Sequence, residues 1–449
     1  MAEIRRQWFR GPIGYRDAQL ESSDLTAVMT LFVVGIPALV VGADLVAQGI
    51  GLVQLILAVP LGSLLGAAVV GMVGRQASGA GVPSAYLSRS GFGSLGAVLV
   101  GVVRLALTGA WAGIVLRIGA GWVQSGLAYF GVSIPAWAVI TVIGVLAAAL
   151  FLPGPAWVVV HVLRRRLFWL AVLMLLAGAW RILSEPGPAT SEVTRGGFLE
   201  TFDAVMGLAL LWSVVGGDIG GYGRREQETA IGLGYGFGVA SLLSIMAGAI
   251  LATRVDGFPH EGVVFGAGAI GALLVLLWVP LMEVDGAGGL TASSAWSLET
   301  IVPWIAPRLL MGAVTAGAIA AAVAVPVDTL REVADLALML FAPAVGVILV
   351  DAYVVRGGAF SADELIRWRG DYGLLNLVGL VCWAAAAALV MWLRPPADLF
   401  RDWLPDWSGQ GPTGLPVLLI GLAAAALLYF VIGQVILGRA GRTYHMRGV

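Results

Sequence analysis

Lysine is absent from this 449-residue chain, and all 26 of its basic side chains are arginine. Cysteine occurs once, at Cys382 in an apolar stretch, which excludes an intrachain disulfide and a cysteine-built metal site. The three histidines, His161, His260 and His445, lie far apart in sequence, so no cluster of His, Cys and Glu suggests a metal centre or a hydrolase. Asparagine also occurs once, at Asn376. Charged residues make up 12% of the chain, about half the roughly 25% of a soluble domain. So little charge could not cover a surface that faces water. A net charge of −1 leaves no basic face for nucleic acid. No resident cofactor, metal or obligate protein partner is expected.

What the chain has instead is apolar length. Hydrophobic residues are 59% of it and the mean hydropathy is +0.92, so a lipid bilayer is the solvent for most of it. Apolar runs of spanning length fall near 25–47, 52–74, 95–126, 134–153, 167–183, 201–220, 230–253, 264–290, 309–327, 333–355, 373–394 and 414–438. They are numbered spans 1 to 12 below. The run at 95–126 is too long for an upright helix and must tilt or project. The fold class that follows is an all-α integral membrane protein of about twelve transmembrane helices.

Twelve spans put both termini on one side. Eighteen of the 26 arginines, among them Arg75, Arg89, Arg224, Arg225 and the run Arg164–Arg166, fall on that side. Six flank the other: Arg181, Arg195, Arg254, Arg331, Arg394 and Arg401. Arginine is enriched in cytoplasmic loops, so both termini are expected in the cytoplasm and the protein in the cell membrane. The first apolar run, from about Leu25, is too long for a signal-peptide core and lacks a small-residue cleavage site.

Glycine and proline interrupt two spans. Span 1 carries Gly35, Pro37, Gly42 and the carboxylate of Asp44; span 6 carries Gly216, Gly217 and Asp218. Broken helices at matching places in two halves point to an inverted-repeat transporter, because a break frees backbone groups at mid-membrane to bind an ion and a polar solute. Kinking and tight packing explain the same residues without a site. The run Gly232–Gly238 looks like a phosphate loop, but it sits inside an apolar span and follows no strand, so close helix packing is the better reading. There is no Walker motif, which argues against ATP-driven transport.

The loop between spans 2 and 3 contains Gly79–Pro83 and then Ser88-Arg89-Ser90-Gly91-Phe92-Gly93-Ser94-Leu95-Gly96-Ala97. Span 3 adds Arg104 and Trp111-Ala112-Gly113, and span 10 adds Pro343, Gly346, Val347, Asp351 and Arg356, with Ala352 inserted before Tyr353. Over roughly residues 25 to 390 the chain resembles the nucleobase–cation symporters, the family of cytosine, purine, allantoin and hydantoin permeases. The resemblance implies a LeuT-like fold of two inverted five-helix repeats plus two helices. The expected divisions are a cytoplasmic tail at 1–24, repeats at 25–183 and 201–355, two further helices at 373–438, and a tail at 439–449.

It also implies that a planar solute lies between an aromatic residue on span 3, here Trp111, and one on span 6, here Trp212, with Gly216 close by. Two indoles suit a flat heterocycle, since each stacked face contributes about 0.5–1.5 kcal/mol beyond area burial. Most membrane tryptophans sit in interfacial belts instead, and this chain has 16. Span 8 departs from the family. Where many members place hydroxyl side chains that hold sodium with span 1 carbonyls, here near Ala38, it offers Glu283, Asp285 and a glycine-rich run. Intramembrane acids are costly and mark substrate or ion sites. Glu283 and Asp285 are candidates for the solute's N–H edge; Asp285, Ala38 and Asp44 are candidates for the coupling cation, H+ or Na+. Asp285 is the favoured proton site. Arg104 is expected either to snorkel from its helix end or to form a structural ion pair with an acid such as Asp44 or Asp218, and an ion pair of Arg104 or Arg117 with the span 8 acids is the structural alternative. The function expected is cation-coupled symport of a nucleobase-like solute, with an amino acid or amine as the alternative cargo. A membrane-embedded sensor or enzyme would need soluble segments, and none exceeds about 25 residues between spans.

Overall fold

The structure is a computed structural model that describes residues 20–159, 162, 168–173, 176, 197–253, 268–358, 360–368, 370–395 and 414–433. The three histidines, Arg164–Arg166, most of span 5, residues 1–19 of the first tail and the whole of the second lie outside the described residues. Among the described residues every regular element is a helix, apart from an isolated bridge between Leu20 and Gly223. Among the described residues seven helices are long and apolar enough to cross a membrane, and span 1, a bent pair, makes an eighth. Three shorter apolar helices, Ala136–Phe151, Leu377–Leu393 and Val417–Ile432, fall on spans 4, 11 and 12.

Span 1 is two helices, Ser22–Val33 and Ile36–Ala47, bent by 48°. The first closes as Val34 donates its N–H to Thr30. Gly35 is extended, and Pro37 sits in the first turn of the second half, where a missing N–H is harmless. The sequence expectation of a break here holds. The matching break in span 6 does not: Phe198–Gly220 is one continuous helix through Val215, Gly216 and Gly217. Those glycines admit neighbours instead. A Cβ on Gly217 would lie 2.6 Å from the Cβ of Ser84, and one on Gly220 would lie 2.9 Å from Gly74. Close approach and helix breaking leave the same residue type in the sequence.

The packing sorts the spans into two groups. Spans 1, 2 (Leu52–Ala80), 6 and 7 (Glu226–Ala252) pack on one another and form a bundle. Spans 3, 4, 8 (Gly268–Ile301) and 9 (Pro307–Ala324) form a scaffold around them. The first two spans of each half are thus in one group and the next two in the other, as an inverted repeat requires. Span 7 clasps both halves of span 1. A side chain on Gly236 would collide with the Thr26 carbonyl, one on Gly248 with that of Leu39, and one on Gly42 with that of Ile245. The glycine run of span 7 is a packing face.

Span 3 belongs to a helix of 46 residues, Ser84–Tyr129, interrupted at Gly93, whose φ of 74° suits glycine alone. The interruption orphans backbone groups, and the segment before span 11 satisfies them. Ser94 and Leu95 donate to the carbonyls of Gly373 and Leu374, and Asn376 donates to that of Phe92. Span 10, Val327–Val350, ends in a π-helical turn at Asp351–Val355. That turn contains Ala352, the residue inserted relative to the family pattern. A π-turn absorbs one extra residue, and Arg356 still reaches Asp351, with Nε to Oδ2 at 2.8 Å.

Candidate functional site

A cavity of about 1260 Å³ opens at the end of the molecule where span 1 finishes and spans 6, 10 and 12 begin. Its wall includes Val41 and Asp44 of span 1, Trp111 of span 3, Asp203 of span 6 and Arg331 of span 10. Asp44 pairs with Arg331 at 3.3 Å, both partly exposed, so their attraction is screened. Asp203 is buried and caps span 12, accepting from the Leu418 N–H at 2.8 Å. Of the residues expected to contact solute, Trp111 lines this cavity; of those expected to serve the cation, Asp44 does.

Trp212 does not line it. Its indole is fully buried halfway along span 6 and stacks on Phe32, with centroids 5.7 Å apart and planes 5° from parallel. Phe32 is the last aromatic residue before the break in span 1. The sequence reading missed it because a phenylalanine in an apolar run carries no local signal. The Nε1 atoms of Trp111 and Trp212 are both buried without a hydrogen-bond partner. Gly216 faces Met29 and Val70 in the bundle, and Ala38 is buried in the first turn after the break.

The two acids of span 8 part company. Glu283 reaches the break: its Oε1 accepts from the N–H of Ile36 at 2.9 Å, and a Cβ on Gly35 would lie 3.4 Å from the same oxygen. Asp285 is two residues on, about 200° around a helix, and so lies on nearly the opposite side. Its Oδ1 accepts from the neighbouring Gly286 N–H, and among the described residues its Oδ2 has no hydrogen-bond partner. Both acids are 1% exposed. Neither pairs with Arg104 or Arg117: Arg117 donates to the carbonyls of Ala322 and Val323.

Arg104 instead forms a two-pronged ion pair with Asp218, Nη2 to Oδ1 and Oδ2 at 2.9 and 3.0 Å. Arg104 Nη1 donates to Ser84 Oγ, and its Nε to Ser297 Oγ. Asp218 also accepts from the Ser84 hydroxyl and the Ala85 N–H. The pair is buried, and each charge is surrounded by partners. Arg89 of the loop motif is structural. It donates to the carbonyls of Leu365 and Ile366 and lies over the rings of Tyr86 and Trp368, tying the helix before span 3 to the segment after span 10. Among the described residues no group of His, Cys, Asp and Glu could hold a resident metal ion.

Comparison with known proteins places this architecture. Residues 20–400 match the family described as permeases for cytosine/purines, uracil, thiamine and allantoin. YxlA of Bacillus subtilis (strain 168), a candidate purine-cytosine permease, is 22% identical over 425 residues, covering 88% of this chain and 89% of that protein. The structure of Mhp1, a nucleobase-cation-symport-1 family transporter, in a closed conformation with bromovinylhydantoin bound is similar at a TM-score of 0.71 and 18% identity. The likeness covers 94% of this chain and 93% of that one. Mhp1 in its inward-facing conformation gives the same score and identity over 98% and 96% of the two chains. A Na+-coupled sialic acid symporter is more distant, at a TM-score of 0.56 and 12% identity over 95% and 93%. The chain is a membrane-embedded member of the family of permeases for cytosine/purines, uracil, thiamine and allantoin.

Proposed function

We propose that the protein is a cation-coupled symporter of a flat heterocyclic solute in the cell membrane, with its termini in the cytoplasm and the cavity opening outward. The observation that carries this reading is the pairing of an open cavity at one end of the bundle–scaffold interface with a sealed end at the other. The cavity has Trp111 in its wall, and Arg104 and Asp218 close the far end. The solute enters the cavity and stacks on Trp111. It reaches Trp212 when its ring takes the place now held by Phe32. The unpartnered indole N–H groups then meet the solute's carbonyls. Glu283, at the break in span 1, serves the coupling cation, which the charge of a carboxylate suits whether that cation is H+ or Na+.

Trp111→Ala is expected to weaken solute binding by about 1–3 kcal/mol, on the scale of a lost stacking face, with expression intact. A thermal-shift screen of purified protein against nucleobases, allantoin and hydantoins, with and without sodium, checks it. No stabilisation by any heterocycle would defeat the reading. The second cargo, an amine or amino acid, is favoured by one feature: Asp44, Glu200, Asp203 and Asp335 outnumber Arg331 and Arg394 around the cavity. Competition between the two solute classes in uptake decides between them.

A further inference from the structure

We propose that Arg104 and Asp218 are a gate pair of the transport cycle, holding the end of the molecule opposite the cavity shut. The inference rests on the alternating-access reading above and adds to it the groups that position the closed end. Asp203, in the cavity wall, and Asp218 lie on the same continuous helix, 15 residues and therefore about 22 Å apart along its axis. One end of span 6 borders open space and the other is locked.

The lock is asymmetric across the two groups of spans. Among the described residues the bundle contributes Asp218 and the Val214 carbonyl, 3.3 Å from the Ser84 hydroxyl, both on span 6. Every other partner lies on the scaffold or on the helix leading into it: Arg104 on span 3, Ser84 and Ala85 before it, and Ser297 on span 8. The bundle thus contributes one carboxylate and one backbone carbonyl to a socket of donors. Gly217 lets the socket close, because a side chain there would collide with Ser84. If the bundle swings to open this end, Asp218 leaves the socket, and both it and Arg104 then need water or new partners. A buried pair so fully matched favours the closed end for as long as it persists, and exposing it to water weakens its attraction.

The single cysteine provides a test, because Cys382→Ala leaves a cysteine-free chain. Two reporters are placed in that background: Val41→Cys in the cavity wall, and Ala85→Cys beside the lock, where only the backbone of residue 85 takes part. Each is labelled with a water-soluble thiol reagent, with no solute added, so the outcome does not depend on which solute is carried. With the lock intact, the cavity reporter is expected to react and the lock reporter to be protected. Asp218→Asn is expected to raise the labelling rate at position 85 at least tenfold and to lower it at position 41. If the single variant does not fold, Arg104→Gln with Asp218→Asn removes both charges and is expected to give the same reciprocal shift. A residue that merely holds the fold together would raise both rates. Unchanged labelling, or a rise at both positions, overturns the proposal.

Discussion

Glu283 and Asp285 are two residues apart, equally buried and of the same charge, yet their surroundings give them different prospects. A carboxylate at the break in span 1 touches the part of the molecule that differs from an ordinary helix. For one on the far face, the hydrogen bond among the described residues is to the backbone beside it. The expected outcome is a split between two conservative variants in proteoliposomes. Glu283→Gln keeps an oxygen for the Ile36 N–H, so the protein folds, but gradient-driven accumulation falls to the equilibrium level while solute exchange continues. Asp285→Asn leaves accumulation within about twofold of the parent, since it removes a charge that no partner shares. Imposing a sodium gradient and a pH gradient separately shows which cation Glu283 serves. The sequence made both acids visible as mid-span charges. It favoured Asp285 for the proton, and it carried no information about which side of span 8 meets span 1. Phe32 was invisible for a related reason: its importance lies in a stack with a residue 180 positions away.

At the scale of elements, the apolar runs gave the helices well, and Gly35-Ile36-Pro37 gave the break, because proline after an extended glycine leaves few other conformations. The false break in span 6 came from reading glycine as a breaker where it serves as a groove. The extra residue before Tyr353 was legible as a mismatch to the family pattern, and its physical form is the π-turn at Asp351–Val355. That turn is held by the Asp351–Arg356 pair and by the Tyr429 hydroxyl, which donates to Asp351 at 2.9 Å. Deleting Ala352 is expected to convert the turn to regular α-helix, with the protein still folded and the thermal midpoint changed by only a few degrees. The residues after it rotate by about 100° relative to span 12, so the Tyr353 hydroxyl loses its bond to the Met72 carbonyl. A structure of the deletion variant that still contained a π-turn would refute this account.

At the scale of the whole molecule the bundle and the scaffold are two groups, and the glycine face of span 7 decides how the first of them behaves. Gly248→Val places two methyl groups where the Leu39 backbone now runs. Overpacking of this kind is expected to destabilise the protein by about 3 kcal/mol. The check is a fall in thermal midpoint and in folded yield, against Gly312→Val as the control, where a Cβ meets nothing within 4 Å. Because span 7 grips span 1 on both sides of its bend, the two halves are expected to travel together. Under the proposed function a solute or cation held there is a passenger on the bundle, and any contacts it makes with Trp212, Ile36 and Ala38 travel with it. Such contacts set how tightly the passenger is held but cannot tell the outward state from the inward one. Any preference that lets a cation gradient do work must come from side chains that stay behind on the scaffold. Under the proposed binding mode those are Trp111 and Glu283.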